Sequence, residues 1–259
     1  MEILREFFGV GGYQREPEGY FSWQHLTFVT VLVIIMIALA IYFGIKNRSK
    51  DVKEKNKVLI IAAILIDAFE IFKIIVFCLE DKSCDPILSN LPLFLCSIQL
   101  ITIPLAAFSK GKVKEASRDF VFIFGLLGAL LVTYLAGNNY SSYPVLSFVN
   151  VVSGITHCIS GFSALYIVMS NMCSMKKENI WITYTILGAF GVLAYAANML
   201  LETNYMFLVR GDGTPYDIVY NLVNGNQILY PILVIVLFLA YIALFYYIFY
   251  VIKNRKKNN

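Results

Sequence analysis

Apolar residues along this chain gather in blocks of about 20, the length a helix needs to cross the hydrocarbon core of a bilayer. The blocks cover residues 26–45, 58–79, 87–108, 120–136, 144–170, 180–200 and 228–252. The pattern predicts an all-α polytopic membrane protein: one domain over residues 1–259, folded as a seven-transmembrane helix bundle. The fifth block is long, and a kink or break is expected near Ser153 and Gly154. Composition sharpens this. Hydrophobic residues make up 59% of the chain and charged residues 15%, against roughly 45–50% and 25% for soluble domains. A mean hydropathy of +0.70 excludes a soluble enzyme with a single anchor.

Charge sets the expected orientation, because short basic loops stay in the cytoplasm. Lys46, Arg48, Lys50, Lys53, Lys55 and Lys57 follow the first block, and Lys110, Lys112, Lys114 and Arg118 follow the third. Lys176 and Lys177 follow the fifth, and Lys253, Arg255, Lys256 and Lys257 end the chain. The other side carries only Arg5, Arg15, Lys82 and Arg210. The N-terminus is therefore expected outside and the C-terminus in the cytoplasm. Basic residues spread through loops in this way argue against nucleic-acid binding. The charges Glu2, Arg5 and Glu6 and the strongly basic stop after the first block do not resemble a cleavable signal, so the first span is expected to be retained. Ile3, Leu4, Phe7 and Phe8 share a helical face, which suits a helix on the outer membrane surface as well as a disordered lead. Of the five cysteines, Cys78 and Cys84 both fall near the outer end of the second span, where a disulfide is chemically feasible.

Several chemistries are not encoded. The last span has no lysine for a retinal Schiff base, the chain has two histidines, and no phosphate loop, HExxH helix or GxSxG elbow occurs. No metal and no cofactor is expected.

Ionisable groups inside a span are costly and raise a functional hypothesis. Asp67, Glu70 and Lys73 are spaced three apart in the second block, so Glu70 can reach either neighbour on one helix face. The third block starts near Pro92 and carries Cys96 and Gln99; the fifth carries Asn150 and His157. At 1.5 Å per residue, Cys96 lies about 13 Å and His157 about 20 Å below the outer starts of their helices, depths at which both approach one mid-membrane cavity. A thiol activated by a histidine supports acyl transfer through a thioester. The segment 202–227 mixes turn formers with Asn204, Tyr205, Arg210 and Pro215, a composition suited to a loop folded over a cavity.

These residues carry a resemblance. Trp23-Gln24-His25-Leu26, Glu70, Leu91-Pro92-Leu93-Phe94-Leu95-Cys96-Ser97-Ile98, Gly125-Leu126-Leu127-Gly128-Ala129, His157, Ala164-Leu165-Tyr166 and Thr203-Asn204-Tyr205-Met206-Phe207-Leu208 resemble the YwaF-like bacterial integral membrane family. That family is distantly similar to the vertebrate transmembrane protein 164 group of ether-phospholipid acyltransferases. The resemblance implies a compact multi-span bundle in the bacterial cytoplasmic membrane, and an acyl transfer using a Cys or Thr nucleophile with a His deeper in the bundle. His157 transfers directly. Phe94 stands where the family usually has a His, and the vertebrate nucleophile aligns near Leu93, which makes Cys96 a substitute one turn away.

The leading expectation is a protein that binds or processes lipid acyl chains in an intramembrane polar cavity, as an acyltransferase or lipid hydrolase, with membrane lipids as its partners. Cys96 and His157 are the expected catalytic pair. Glu70, Lys73, Gln99, Asp67, Asn150, Asn198, Asn204 and Tyr205 are expected to bind or orient substrate. The alternatives are a non-enzymatic small-molecule or proton-coupled carrier or receptor-like binding protein built on Asp67, Glu70, Lys73 and His157, and a structural protein whose polar residues lock helices together.

Overall fold

The structure, a computed structural model, describes residues 2–135 and 137–258. Met1, Asn259 and Ala136, where the fourth predicted span ends, lie outside the described residues. So do the side chains of Val132 and of residues 253–258, which include the basic tail Lys253, Arg255, Lys256 and Lys257.

The described residues form helices and connections, with no strand among them. A short α1 (Glu2–Phe8) precedes α2 (Trp23–Asn47), α3 (Val52–Asp81), α4 (Asp85–Ser89) and α5 (Gln99–Phe108). Helix α6 (Gly111–Leu127) passes into a π-helical turn, Gly128–Val132, and then into α7 (Thr133–Leu135) and α8 (Gly137–Ser142). Helix α9 (Phe148–Met169), α10 (Ile180–Leu201), α11 (Tyr216–Leu222) and α12 (Leu229–Asn258) complete the chain. Starts are chemically marked. Ser22, Asp51 and Ser147 cap α2, α3 and α9 by accepting from the amides of His25, Glu54 and Asn150, which satisfies donors that a helix end leaves free.

Five segments are long and apolar enough to cross a membrane: Trp23–Asn47, Gly111–Ser142, Phe148–Met169, Lys177–Leu201 and Leu229–Ile252. Their outward faces are apolar, with Ile34, Leu193, Leu200, Ile232 and Ile248 exposed, as a lipid-facing surface requires. Helix α3, about 45 Å long at 1.5 Å per residue, has Asp67, Glu70 and Lys73 within its apolar stretch.

Two expectations differ from the structure. Residues 87–108, read as one span, are divided: α4 ends at Ser89, residues 90–98 form turns, and α5 begins at Gln99. Pro92 is the cause that the sequence offers, since it lacks an N–H and disfavours helical geometry at Leu91. Ser97 then stabilises the turn, its hydroxyl accepting from Phe94 N–H at 3.0 Å. The expected kink near Ser153 is absent, and α9 runs unbroken through Gly154. The missing Cβ at Gly154 instead admits Leu32 and Phe28 of α2. All five cysteines are free, Cys78 and Cys84 included.

Helix α9 is the hub, packing on α2, α3 and α6. Small residues allow this closeness: a side chain on Gly161 would meet Ala129 and Met36, and one on Gly125 would meet Ser160 and Ala164. Three apolar clusters result. One joins α2 and α9 at the π turn, one joins α3, α5 and α9, and one joins α6, α10 and α12 with the segments 91–98 and 205–208.

Candidate functional site

The buried side of α3 is drawn by Leu59, Ala63 and Ile66, and Glu70 and Lys73 continue that helical row towards the outer end. Both are largely withdrawn from solvent, with side chains 13% and 16% exposed, and their charges meet at 2.7 Å. Such a pair neutralises itself in low dielectric and still presents unused polar valence. Asp67 does not join it: among the described residues it has no ion pair and no hydrogen bond.

The Cys96 sulfur and the His157 ring both lie within electrostatic range of this ion pair. They reach it from different elements, Cys96 from the turn before α5 and His157 from α9. Both are packed deep within the protein but keep some accessible surface. The amides of Cys96 and Ser97 lie against the Cys96 sulfur. Across from Cys96 sits Gly128, the first residue of the π turn, where an added Cβ would be 3.5 Å from the Cys96 Cβ. A π turn inside an α-helix is a feature enriched at functional sites.

The state of His157 follows from one hydrogen bond. Its Nδ1 is 2.7 Å from the Ser153 carbonyl oxygen, and a carbonyl can only accept, so Nδ1 carries the proton. In a neutral ring this leaves Nε2 with a free lone pair. Nε2 is buried and has no partner among the described residues. Gln99, fully buried at the start of α5, is similar: Thr102 occupies its Oε1 at 3.1 Å while Nε2 has no partner. Ser160, one turn along α9 from His157, also has an unpartnered hydroxyl. A buried acceptor and buried donors without partners are groups able to hold and polarise a carbonyl where they meet one.

The other expected residues are placed differently. Asn150 donates to the carbonyls of Tyr143 and Pro144 at 3.3 and 3.0 Å and secures the turn before α9. Asn198 accepts from Tyr205 N–H at 2.6 Å and Thr203 Oγ1 at 3.0 Å, and donates to Tyr205 O at 3.0 Å. Asn204 clasps its own loop through Val209, Arg210 and Asp212. The Tyr205 hydroxyl donates to Leu88 O at 2.6 Å and accepts from Leu91 N–H at 3.3 Å, while its ring meets Phe94 at 5.0 Å. The Asn-Tyr-Met segment thus buttresses the Leu-Pro-Leu-Phe-Leu-Cys segment, and these residues position the Cys96 turn without lining the thiol. Burial pushes the Tyr205 hydroxyl pKa up, consistent with a neutral strut.

Gly128, Ser153 and Ser160 were not anticipated as parts of the site. Gly128 stands in the sequence only within the Gly125–Ala129 segment and Ser153 only as the expected kink, while Ser160 is marked by its spacing of three from His157. A surface depression of about 730 Å³ lies elsewhere, between α1 and the turn at Pro144 and Ser147, and includes neither Cys96 nor His157. Among the described residues no cluster of His, Cys, Asp and Glu is arranged to hold a metal ion.

Apolar helices of spanning length around an interior group of unpaired polar atoms define a multi-pass membrane protein with a buried polar centre. The chain belongs to the TMEM164 family, whose family model matches residues 20–250. No curated protein and no solved structure matches it.

Proposed function

We propose that this protein transfers or hydrolyses an acyl group of a membrane lipid at the Cys96–His157 centre. The observation that carries the reading is the Nε2 of His157, without a partner among the described residues and held in the basic tautomer by the Ser153 carbonyl, in the same Glu70–Lys73 environment as Cys96. His157 Nε2 takes the thiol proton, and the sulfur attacks the ester carbonyl carbon. The Gln99 amide steadies the oxyanion. Collapse of the tetrahedral intermediate breaks the ester C–O bond, and the leaving alkoxide recovers the proton from His157. The acyl group remains on sulfur as a thioester until an alcohol or water takes it by the reverse sequence. Glu70 and Lys73 orient the polar part of the lipid. We further propose a seven-pass topology, with α3 and the divided 85–108 segment completing the five apolar spans, in a bacterial cytoplasmic membrane with the N-terminus outside. The asymmetry of the basic loops and the resemblance described above support it.

The test is intact mass of purified protein after incubation with a phospholipid bearing labelled acyl chains. Wild type is expected to gain one acyl group, and Cys96→Ala none. Equal gain by Cys96→Ala, or no gain by folded wild type, contradicts the reading.

A further inference from the structure

At the end of the bundle that carries the basic loops, two side chains converge on one carbonyl. Asn56 Nδ2 donates to Ala107 O at 2.7 Å, and Lys114 Nζ donates to the same oxygen at 2.8 Å. Ala107 belongs to the last turn of α5, whose final carbonyls have no partner within the helix. Capping therefore accounts for Asn56 and for one Lys114 donor.

Arg118 is not accounted for in this way. It is 7% exposed, and its guanidinium donates from Nη2 to Asn56 Oδ1 at 3.1 Å. Its Nε is buried and has no partner. Among the described residues no carboxylate lies within ion-pair distance of it. The acids nearby are engaged elsewhere. Glu115 accepts from Lys176 Nζ at 2.9 and 3.0 Å, and Asp119 accepts from Ser174, Met175, Asn179 and Tyr246. Glu115 and Asp119 lie within electrostatic range of the guanidinium but do not pair with it, and a buried Nε left without a partner is unfavourable until an acceptor completes it.

We propose that Arg118, with Lys114 one turn earlier on α6, forms a phosphate-binding site. The planar guanidinium offers paired donors to two phosphate oxygens, and the Lys114 ammonium supplies a second positive charge with donors that one carbonyl does not exhaust. The site sits where α5 and α6 meet the basic loops, the level at which headgroup phosphates lie. The same chemistry is offered by a lipid headgroup and by a free phosphate.

The test uses full-length protein in a phosphate-free maltoside detergent, with short-chain phosphatidylglycerol and inorganic phosphate as separate probes and chloride at matched ionic strength as control. Binding is read by native mass spectrometry and by the shift in thermal denaturation. Arg118→Gln removes the charge. Asn56→Asp keeps Arg118 but supplies an internal carboxylate in place of the amide that Nη2 now touches. Each is expected to weaken binding about tenfold or more relative to wild type, and either variant that folds decides the matter. Stabilisation by phosphatidylglycerol alone assigns the site to a headgroup; equal stabilisation by inorganic phosphate assigns it to a free phosphate. A folded variant that binds as wild type does, or a wild type that binds neither probe, overturns the proposal.

Discussion

Two buried polar centres lie in this bundle, and they are built in opposite ways. Around Asp119, fully buried on α6, the carboxylate accepts from Ser174 N–H and Oγ–H, Met175 N–H, Asn179 Nδ2 and Tyr246 OH, all between 3.0 and 3.2 Å. That network ties α6 to the connection before α10 and to α12, and leaves the carboxylate no oxygen to spare. In the centre assigned to Cys96 and His157, by contrast, His157 Nε2, Gln99 Nε2 and Ser160 Oγ have no partner among the described residues. A buried polar network with every valence used acts as a strut. One with open valences invites a ligand, because desolvation has been paid without the compensating bonds.

The contrast extends to the two cysteines. Cys173 donates to Asp119 at 3.8 Å, and burial, followed by the Asp119 carboxylate, pushes its thiol pKa up. Cys96 lies instead against the amides of its own turn, within electrostatic range of the Glu70–Lys73 pair. One thiol is hydrogen-bonded to an anion, while the other lies within range of the Glu70–Lys73 ion pair.

The largest expected effect is on chemistry. His157→Ala should reduce acyl labelling of the protein by about a hundredfold or more, the scale of a lost general base, while its thermal midpoint stays close to wild type. A large fall in midpoint would place His157 with the struts. Asp119→Ala should do the reverse, costing about 3 kcal/mol of stability by stranding its buried donors, with the labelling rate per folded molecule retained. Equilibrium denaturation in mixed micelles reads this, and an unchanged midpoint would break the comparison. Asn198→Ala should cost about 1–2 kcal/mol, since it removes the clasp on residues 203–205 that buttresses the Cys96 turn. Protease sensitivity in the 202–215 loop would report the loosening.

The smallest effect concerns pH. The amides of Gln14 and Arg15 donate to Glu6 at 3.1 and 3.0 Å and hold its carboxyl below the usual carboxylate range. The folded value is thus the lower one. Its contribution is present above the unfolded value of about 4.3 and is lost as pH falls through the folded value. Protection of the Gln14 and Arg15 amides relative to their intrinsic exchange rates should fall only below that range, and absence of protection at neutral pH would contradict the assignment.

The sequence made the bundle legible because membrane helices are written as blocks of apolar residues. It misread residues 87–108 because block hydropathy does not distinguish a helix from a buried turn: Leu93 and Ile98 are core residues in either case. Pro92 was the available signal. The Glu70–Lys73 pair was readable from a spacing of three, which is local. The nearness of Cys96 and His157 to it depends on how α3 and α9 pack, and only depth suggested it. The loop bonds of Asn198, Asn204 and Tyr205 are not written in sequence, because polar and aromatic groups at a loop look alike whether they touch a ligand or their own backbone. Arg118 reads in sequence only as a loop cation, and Asp119 gives no signal at all, because both fall at the edge of the fourth block, where a charge reads as part of a solvated loop.

The central claim is that the open centre is reactive and the saturated one is not, and one experiment compares them in the same molecule. Folded protein is treated with a small alkylating reagent, and the rates at Cys96 and Cys173 are followed by peptide mass mapping. The account expects Cys96 to react at least about tenfold faster and this advantage to disappear in His157→Ala. Equal rates, or a Cys96 rate indifferent to His157, would contradict it.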